Sequence, residues 1–560
     1  MIRLALAALS ICAVLMTVPS AMAADELRER LRHRLETLHQ PGELIAGGRT
    51  LFAPALLQTL YEGRNWRPIW FDDQARPSVL QAQLIDTIEL AHEHGLDPDH
   101  YHRDDLVRIL AGLDHSESHE VDRRILVDFE LLASDALLSL GHHLAFGRID
   151  PETIDPGWMI ERQPDHLLPR LQQAASGGNL NLRAILASLL PEHPEYFALV
   201  ERLALQRELA ANGSWRELHS GPTMRPGDLD PRLSEIRQRL ITLGDLEAYR
   251  LPDHHDHDGI YDQQLEAGVL AFQRRHGLEI DGVIGQRTLA ALNTTPQFRI
   301  DQLRANLERW RWLPRSLGEE YVLVNIAGYT MTAHSHGETV MQQRVVVGMP
   351  YRRTPVFTGN MTYLVLNPSW EVPYRLATRD QLPKILADSD YLDSMGFAVL
   401  QGWGSEERRI DPANVDWQAL SARNFPYRLR QAPGPNNALG QVKFMFPNRH
   451  NVYLHDTPTR GLFAREERAF SSGCIRLEEP ERLTQWLLTE RASIMSPERI
   501  AEVLASGRET TVRLDRPMPV HLLYWTAWVD DAGKVQYRRD IYERDGPLIR
   551  ALDLPPPTAS

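Results

Sequence analysis

The chain has 560 residues, of which 43% are hydrophobic and 24% charged, an ordinary globular composition with length enough for several cores. A net charge of -14 argues against nucleic acid as the main partner. Beyond the apolar run Leu4 to Val18, no segment is long and apolar enough to span a bilayer, and two cysteines, Cys12 and Cys474, exclude a fold built on disulfides.

The N-terminus reads as a secretory signal over residues 1–23: Arg3, the apolar run, Pro19, then Ala21-Met22-Ala23 with a cut after Ala23. A retained membrane anchor is the alternative, since Leu4 to Ala23 is long enough to span; Pro19 and the Ala-x-Ala tail favour cleavage. A lipoprotein signal fits poorly, because Ile11 stands directly before Cys12. Cleavage removes Cys12 and leaves an exported, periplasmic chain with one thiol. Such a leftover thiol is either an intermolecular bridge or a reactive group.

Residues 45–212 read as a helical scaffold region. "EVDRRILVDFELLASDALLSL" carries Ile125, Phe129, Leu132, Ala136 and Leu140 at helical spacing. "IDTIELAHEHGLDPDHYH" predicts a helix closed by Gly95 and a turn at Asp97-Pro98. His92, His94, Asp97, His100 and His102 lack a metal-site spacing. They read instead as histidines favoured by a helix C-terminus.

The polar segment 212–228 reads as a linker. It leads into a module at 228–294 with three short helices. Leu233, Ile236, Leu240 and Leu243 share one face, ended by Gly244; Leu265, Val269 and Phe272 share a second, ended by Gly277; Leu289 and Leu292 mark the third. Between them, "LPDHHDHDG" reads as a solvated polar loop. The phrase "FQRRHGLEIDGVIGQRTLAAL" resembles the three-helix peptidoglycan-binding domain of wall enzymes.

From about residue 320 the period changes to that of strands: "YVLVNIAGYTM", "QRVVVGM", "MTYLVLNPSW", "QVKFMFPN" and "NVYLHD". Val442, Phe444 and Phe446 alternate with Lys443 and Met445, as one buried sheet face requires. The β-rich domain spans 300–515. It is interrupted at 375–432 by a part-helical, Pro/Gly-rich insertion and followed by a strand-rich tail at 516–560 with a turn at Asp531 to Gly533. The expected fold class is therefore multidomain α+β.

Inside the β-rich domain, "RAFSSGCIRL" places Cys474 after turn residues, not in an apolar core stretch. A thiol acts as a nucleophile only as thiolate, and needs a base or a positive neighbour. His455, 19 residues earlier at the end of a predicted strand, is the nearest candidate base. Either the Asp456 carboxylate or a backbone carbonyl is available to orient its ring. Gly473 permits close approach of a substrate, and the N–H groups of Gly473 and Cys474 are candidate oxyanion donors. Arg476 is a candidate for holding a carboxylate or lowering the thiol pKa, and equally a packing arginine. Ser472 precedes the Gly-Cys pair.

This pattern resembles the L,D-transpeptidases of the YkuD type. The wider motifs "NLERWRWLP", "NPSWEVP", "QAPGPNNALGQVKFMFPN", "YLHDTP" and "AFSSGCIRLEEP" are similar to the YcbB-like subgroup. The resemblance implies a helical scaffold, the 375–432 insertion as a capping subdomain, and no metal or other cofactor. It also implies peptidoglycan stem peptides and glycan strands as partners, other wall-synthesis proteins among the associates, and trapping by carbapenems. Cys474 is then the nucleophile that attacks the bond between stem residues three and four, releases D-Ala and builds 3→3 cross-links. His455 is its base and acid. Ser472, Arg476, Asp456, Trp370 and Tyr374 are candidate substrate contacts, with Trp403 a further candidate apolar wall. Many YkuD-type enzymes carry histidine where this chain has Ser472.

Papain-like peptidases have the reverse order of cysteine and histidine, and sortases have longer spacings. An L,D-carboxypeptidase or L,D-endopeptidase on the same fold remains open, because water can take the same acyl group. A non-catalytic wall-binding scaffold would need only the module, and leaves Cys474 and His455 unused.

Overall fold

The computed structural model describes residues 19–36, 44–72, 76–114, 122–155, 157–160, 168–169, 181–213, 215–247, 259–491 and 494–556. Most of the expected signal, with Cys12, and residues 251–258 of the His/Asp loop lie outside the described residues. Among the described residues no helix is long and apolar enough to cross a membrane.

The N-terminal helices are α1 (Pro19–Glu36), α2 (Pro54–Gly63), α3 (Gln81–Ile88), α4 (Arg103–Asp114), α5 (Arg123–Phe146) and α6 (Pro194–Ala211). Leu27, Leu31 and Leu35 of α1 form a buried i, i+4 stripe, so the helical packing begins before residue 45. The central helix is α5, buried on nearly every side from Leu126 to Leu144. Ile125, read as part of its core face, is 42% exposed in the first turn. Asp135 of α5 accepts the Phe52 and Ala53 N–H groups at 3.0 and 2.7 Å and meets His102 Nε2 at 2.8 Å. His94 Nδ1 meets the Tyr196 hydroxyl at 3.0 Å. Both histidines are therefore buried hydrogen-bonding groups; burial drives His94 down to about 3, so that ring is not a charged partner of the helix end.

The module comprises α7 (Arg232–Leu243), α8 (Gln263–His276) and α9 (Gln286–Leu292) around its own core of Leu233, Leu240, Leu265, Phe272 and Leu292. Gly244 and Gly277 end α7 and α8 at φ +74° and +65°, the left-handed cap that glycine adopts without strain. The segment read as a linker belongs in part to this module. Leu218 and Met224 are buried in its core, and Met224 bridges to Ile284.

Next comes α10 (Pro296–Arg311), which opens the region expected to be β-rich but packs against α6. The buried Glu308 carboxylate of α10 accepts the Arg148 and Ile149 N–H groups at 2.5 and 2.7 Å. One apolar core consequently runs from the N-terminal helices into the β-domain.

The β-domain strands are β1 (Glu320–Asn325), β2 (Thr330–Ser335), β3 (Glu338–Gly348) and β4 (Phe357–Leu366); the insertion, together with the residues that lead into it, holds β5 (Trp370–Glu371), β6 (Phe397–Gln401), β7 (Arg408–Ile410) and β8 (Arg428–Gln431). Then follow β9 (Val442–Met445), β10 (Leu454–His455), β11 (Ala469–Ser471), β12 (Ile475–Leu477) and β13 (Thr510–Leu523). The main sheet runs β11-β3-β12-β10-β9-β4-β13-β1-β2, and β3 also pairs with β2, so the sheet closes on itself. Val442, Phe444 and Phe446 are fully buried, as the alternation predicts. The insertion folds as a separate sheet, β5-β8-β6-β7, over its own core of Val372, Leu382, Phe397, Val399 and Leu429.

The tail is not all strand. After β13 comes the expected hairpin of β14 (Ala527–Val529) and β15 (Val535–Tyr537), turned at Asp530 to Lys534. Then α11 (Asp545–Asp553) packs on α10 through Arg309–Asp545 at 2.6 Å and Arg304–Asp553 at 2.9 Å. Pro547 stands in its first turn, where a proline forfeits no helical hydrogen bond.

Candidate active site

Strand register brings the candidate residues together. β10 runs parallel to β12, with Leu454 opposite Ile475 and His455 opposite Arg476. Leu454, Ile475 and Leu477 are fully buried on one face. Alternation therefore sends Tyr453, His455, Cys474 and Arg476 to the other. Lys443 of β9 pairs with His455 and joins the same face.

Cys474 is half-buried, and its Sγ lies 3.8 Å from the Asn451 carbonyl. Burial pushes the thiol up. Hydrogen bonds from the Tyr453 main chain and hydroxyl, with the charges of Lys443 and Arg476, pull it down. Tyr453 is thus a direct neighbour of the thiol that the sequence reading passed over. Its ring meets His455 edge-on at 5.6 Å and lies under Lys443 Nζ at 4.1 Å. Alternation with the buried Val452 and Leu454 sets its face, and the parallel register of β10 and β12 sets it beside the thiol.

The orienting group left open by the sequence is the main chain. His455 Nδ1 lies 2.5 Å from the Asp456 carbonyl oxygen. A carbonyl only accepts, so Nδ1 carries the proton and Nε2 keeps its lone pair. The Asp456 carboxylate is engaged elsewhere. It accepts the Gln441 N–H at 2.7 Å and the Thr457 N–H at 2.6 Å, and pairs with Arg460 at 2.7 Å. Gly440 presses on it so closely that an added Cβ would stand 2.2 Å from Asp456 Oδ2. His455 is buried, and desolvation first, then Arg476, drives it down to about 3. The imidazole at neutral pH is accordingly uncharged.

Arg476 is half-buried, and its Nε has no hydrogen-bond partner among the described residues. Burial lowers its pKa, and Cys474 raises it. It is a cation with an unused donor beside the thiol.

The turn that carries Cys474 is braced from several sides. Gly473 stands at φ +118°, beyond the ordinary reach of a residue with a Cβ. Its N–H donates to Ser471 Oγ at 3.1 Å, and Ser471 Oγ–H donates to the Cys474 carbonyl at 2.5 Å. The Gly473 N–H, a candidate oxyanion donor, is thus occupied by a neighbouring hydroxyl. Thr354 Oγ1 donates to the Gly473 carbonyl at 2.9 Å. The Tyr542 hydroxyl in turn accepts the Thr354 N–H at 3.1 Å and donates to the Gly348 carbonyl at 2.7 Å. Ser472 is exposed, and its Oγ accepts from Arg352 Nη1 at 2.8 Å.

The aromatic candidates divide. Trp370 faces the Tyr453 hydroxyl, acting to lower a pKa that burial raises. Tyr374 does not join it: half-exposed within the insertion, it packs edge-on against Phe425 and donates to the Ala422 carbonyl at 3.3 Å. Trp403 is 68% exposed beneath the Arg428 guanidinium and walls nothing near Cys474.

Residues 319–510 match the family model described as the L,D-transpeptidase catalytic domain, 230–292 that of a peptidoglycan-binding domain and 55–203 that of the scaffold domain. A Haemophilus influenzae protein named "Putative L,D-transpeptidase" is 39% identical over 253 residues, 45% of this chain and 50% of its own length. The chain thus spans about half the length of that curated relative. The N-acetylmuramoyl-L-alanine amidase CwlM of Mycobacterium tuberculosis is 36% identical over 81 residues, 13% of this chain and 18% of that protein. Among solved structures, an L,D-transpeptidase from Stackebrandtia nassauensis overlaps 54% of this chain and 97% of its own at 14% identity, with a TM-score of 0.21.

Proposed function

Since residues 319–510 are an L,D-transpeptidase catalytic domain of the YkuD family, accompanied by a peptidoglycan-binding domain, we propose that the whole protein is an exported peptidoglycan L,D-transpeptidase. One observation carries the chemistry. Cys474 and His455 share a face of neighbouring parallel strands, and the imidazole Nδ1 is committed to a main-chain carbonyl.

The resting pair is neutral, so His455 acts as a general base in the attack itself. Nε2 takes the Sγ proton as Sγ bonds to the carbonyl carbon between stem residues three and four. The Cys474 N–H faces the developing oxyanion. The C–N bond breaks, the D-Ala amine takes the proton from Nε2, and a thioester remains. The side-chain amine of a second stem attacks that thioester and gives its proton to Nε2. The thiolate leaves and is reprotonated, and a 3→3 cross-link has formed. Arg476, with its unpartnered Nε, is suited to a stem carboxylate. No step requires a metal or other cofactor. Residues 228–294 hold glycan strands, the 375–432 insertion caps the site, and the working compartment is the periplasm, reached through the signal at 1–23.

Mass analysis of tetrapeptide-stem muropeptides incubated with the purified protein tests the reading. D-Ala release and 3→3 dimers are expected, and neither with Cys474→Ala. Dimers formed by Cys474→Ala would sink the mechanism; tripeptide alone would make the protein a carboxypeptidase.

A further inference from the structure

The insertion meets the active-site face at two places. At one, Trp370 of β5 faces the Tyr453 hydroxyl and acts to lower a pKa that burial raises. At the other, Arg352 Nη1 and Nη2 lie 2.5 and 2.7 Å from the two oxygens of Asp380, and the same Nη1 donates to Ser472 Oγ at 2.8 Å. Asp380 stands on the helical stretch that opens the insertion, and Ser472 lies two residues before the nucleophile. Arg352 belongs to neither; it sits in the loop that links β3 to β4.

A guanidinium is a rigid planar fork. Two of its N–H groups match a carboxylate, and the remaining ones stay aimed in fixed directions. Here the fork grips Asp380 and leaves one donor for the turn. The contact is sheltered, with the side chains of Arg352 and Asp380 15% and 31% exposed. Each holds the other ionised: the guanidinium keeps the Asp380 carboxyl below its usual range, and the carboxylate raises Arg352.

We infer that Arg352 is a positioning residue that latches the insertion to the nucleophile turn. While it holds Asp380 and Ser472 together, the cap is closed beside Cys474. The insertion has its own core, so it can swing away as a unit once this pair parts, without unfolding. Latching also gives Ser472 a use: its small hydroxyl lets the guanidinium approach the turn. The kinetic consequence rests on the acyl-transfer reading above. A latched cap keeps water from the thioester until a second stem amine arrives.

The test uses the full chain and its Arg352→Ala, Asp380→Asn and Asp380→Glu variants. Modification of Cys474 by iodoacetamide and by a maleimide carrying a large polyethylene glycol is timed by mass spectrometry, with peptide mapping to separate Cys12. Loss of one charge-assisted pair should raise the large-reagent rate, relative to iodoacetamide, by about tenfold in Arg352→Ala and Asp380→Asn. Asp380→Glu should return it toward wild type. Asp380→Asn should also lower the ratio of dimer to tripeptide products. An unchanged reagent ratio in Asp380→Asn, or equal acceleration of both reagents, overturns the latch. Failure of the wild-type protein to turn over stems would instead overturn the transpeptidase reading, with the reagent ratio still deciding the latch.

Discussion

Asp456→Asn separates two ways of holding an imidazole. The native carboxylate accepts two main-chain N–H groups, from Gln441 and Thr457, at 2.7 and 2.6 Å. An amide has one carbonyl oxygen, so one of those donors would face an NH2 group. Losing a buried charge-assisted hydrogen bond costs about 1.5–3 kcal/mol. The Arg460 pair, with a 44% exposed side chain, adds under about 1 kcal/mol. The variant should therefore lose about 2–4 kcal/mol of stability. Yet the acceptor of His455 Nδ1 is the Asp456 main-chain oxygen, which the substitution leaves in place. Turnover per folded molecule should fall by less than about tenfold, whereas an orienting carboxylate of the serine-protease kind would make the loss about ten-thousandfold. Chemical denaturation gives the stability, titration of Cys474 with a β-lactam by intact mass gives the competent fraction, and stem turnover is normalised to it. A loss beyond about a thousandfold at full competent fraction would refute the main-chain assignment.

Three further outcomes follow from the same geometry. Because burial raises the thiol and drives His455 to about 3, the iodoacetamide rate at Cys474 should climb with pH to above 9.0 without a plateau near neutrality; a plateau below pH 7 would reveal a standing thiolate–imidazolium pair. Burial likewise holds His94, His143 and His521 below 6.5, so the unfolded chain binds protons that the folded one refuses. Stability should then be full above pH 6.5 and fall below it by up to about 1.4 kcal/mol per pH unit for each such histidine, and denaturation curves that coincide at pH 5 and 7 would contradict this. Deleting residues 228–294 should weaken pull-down on murein sacculi more than it slows β-lactam acylation; equal retention would make the module a spacer.

Local pattern foretold whatever local physics determines. Alternation in Val442, Phe444 and Phe446 marked a buried sheet face, and Gly244 and Gly277 marked helix ends. Cys474 and His455 stood out because turn residues surround the one and a strand precedes the other. What escaped the reading depends on register and on contacts distant in sequence. Tyr453 became a neighbour of the thiol only when β10 and β12 aligned in parallel. Arg352 reaches Asp380 and Ser472 across 28 and 120 residues, separations that no periodicity reports. The partner of the Gly473 N–H, Ser471 Oγ, folds back within its own turn, a contact that residue types alone do not report. The Tyr374 and Trp403 rings meet Phe425 and Arg428, partners 51 and 25 residues away that aromatic type alone does not reveal.

The bracing of Gly473 through Thr354 by Tyr542 sets an order of events. The strand β13 occupies the middle of the closed sheet, and Tyr542 lies beyond it, so both are made after Cys474 and His455. A ribosome has already released Cys474 when the groups that fix its turn are still being synthesised. The thiol is thus chemically present long before it is shaped. A chain cut short after residue 510 would carry Cys474 and His455 yet lack the strand and the hydroxyl that hold the turn before the thiol.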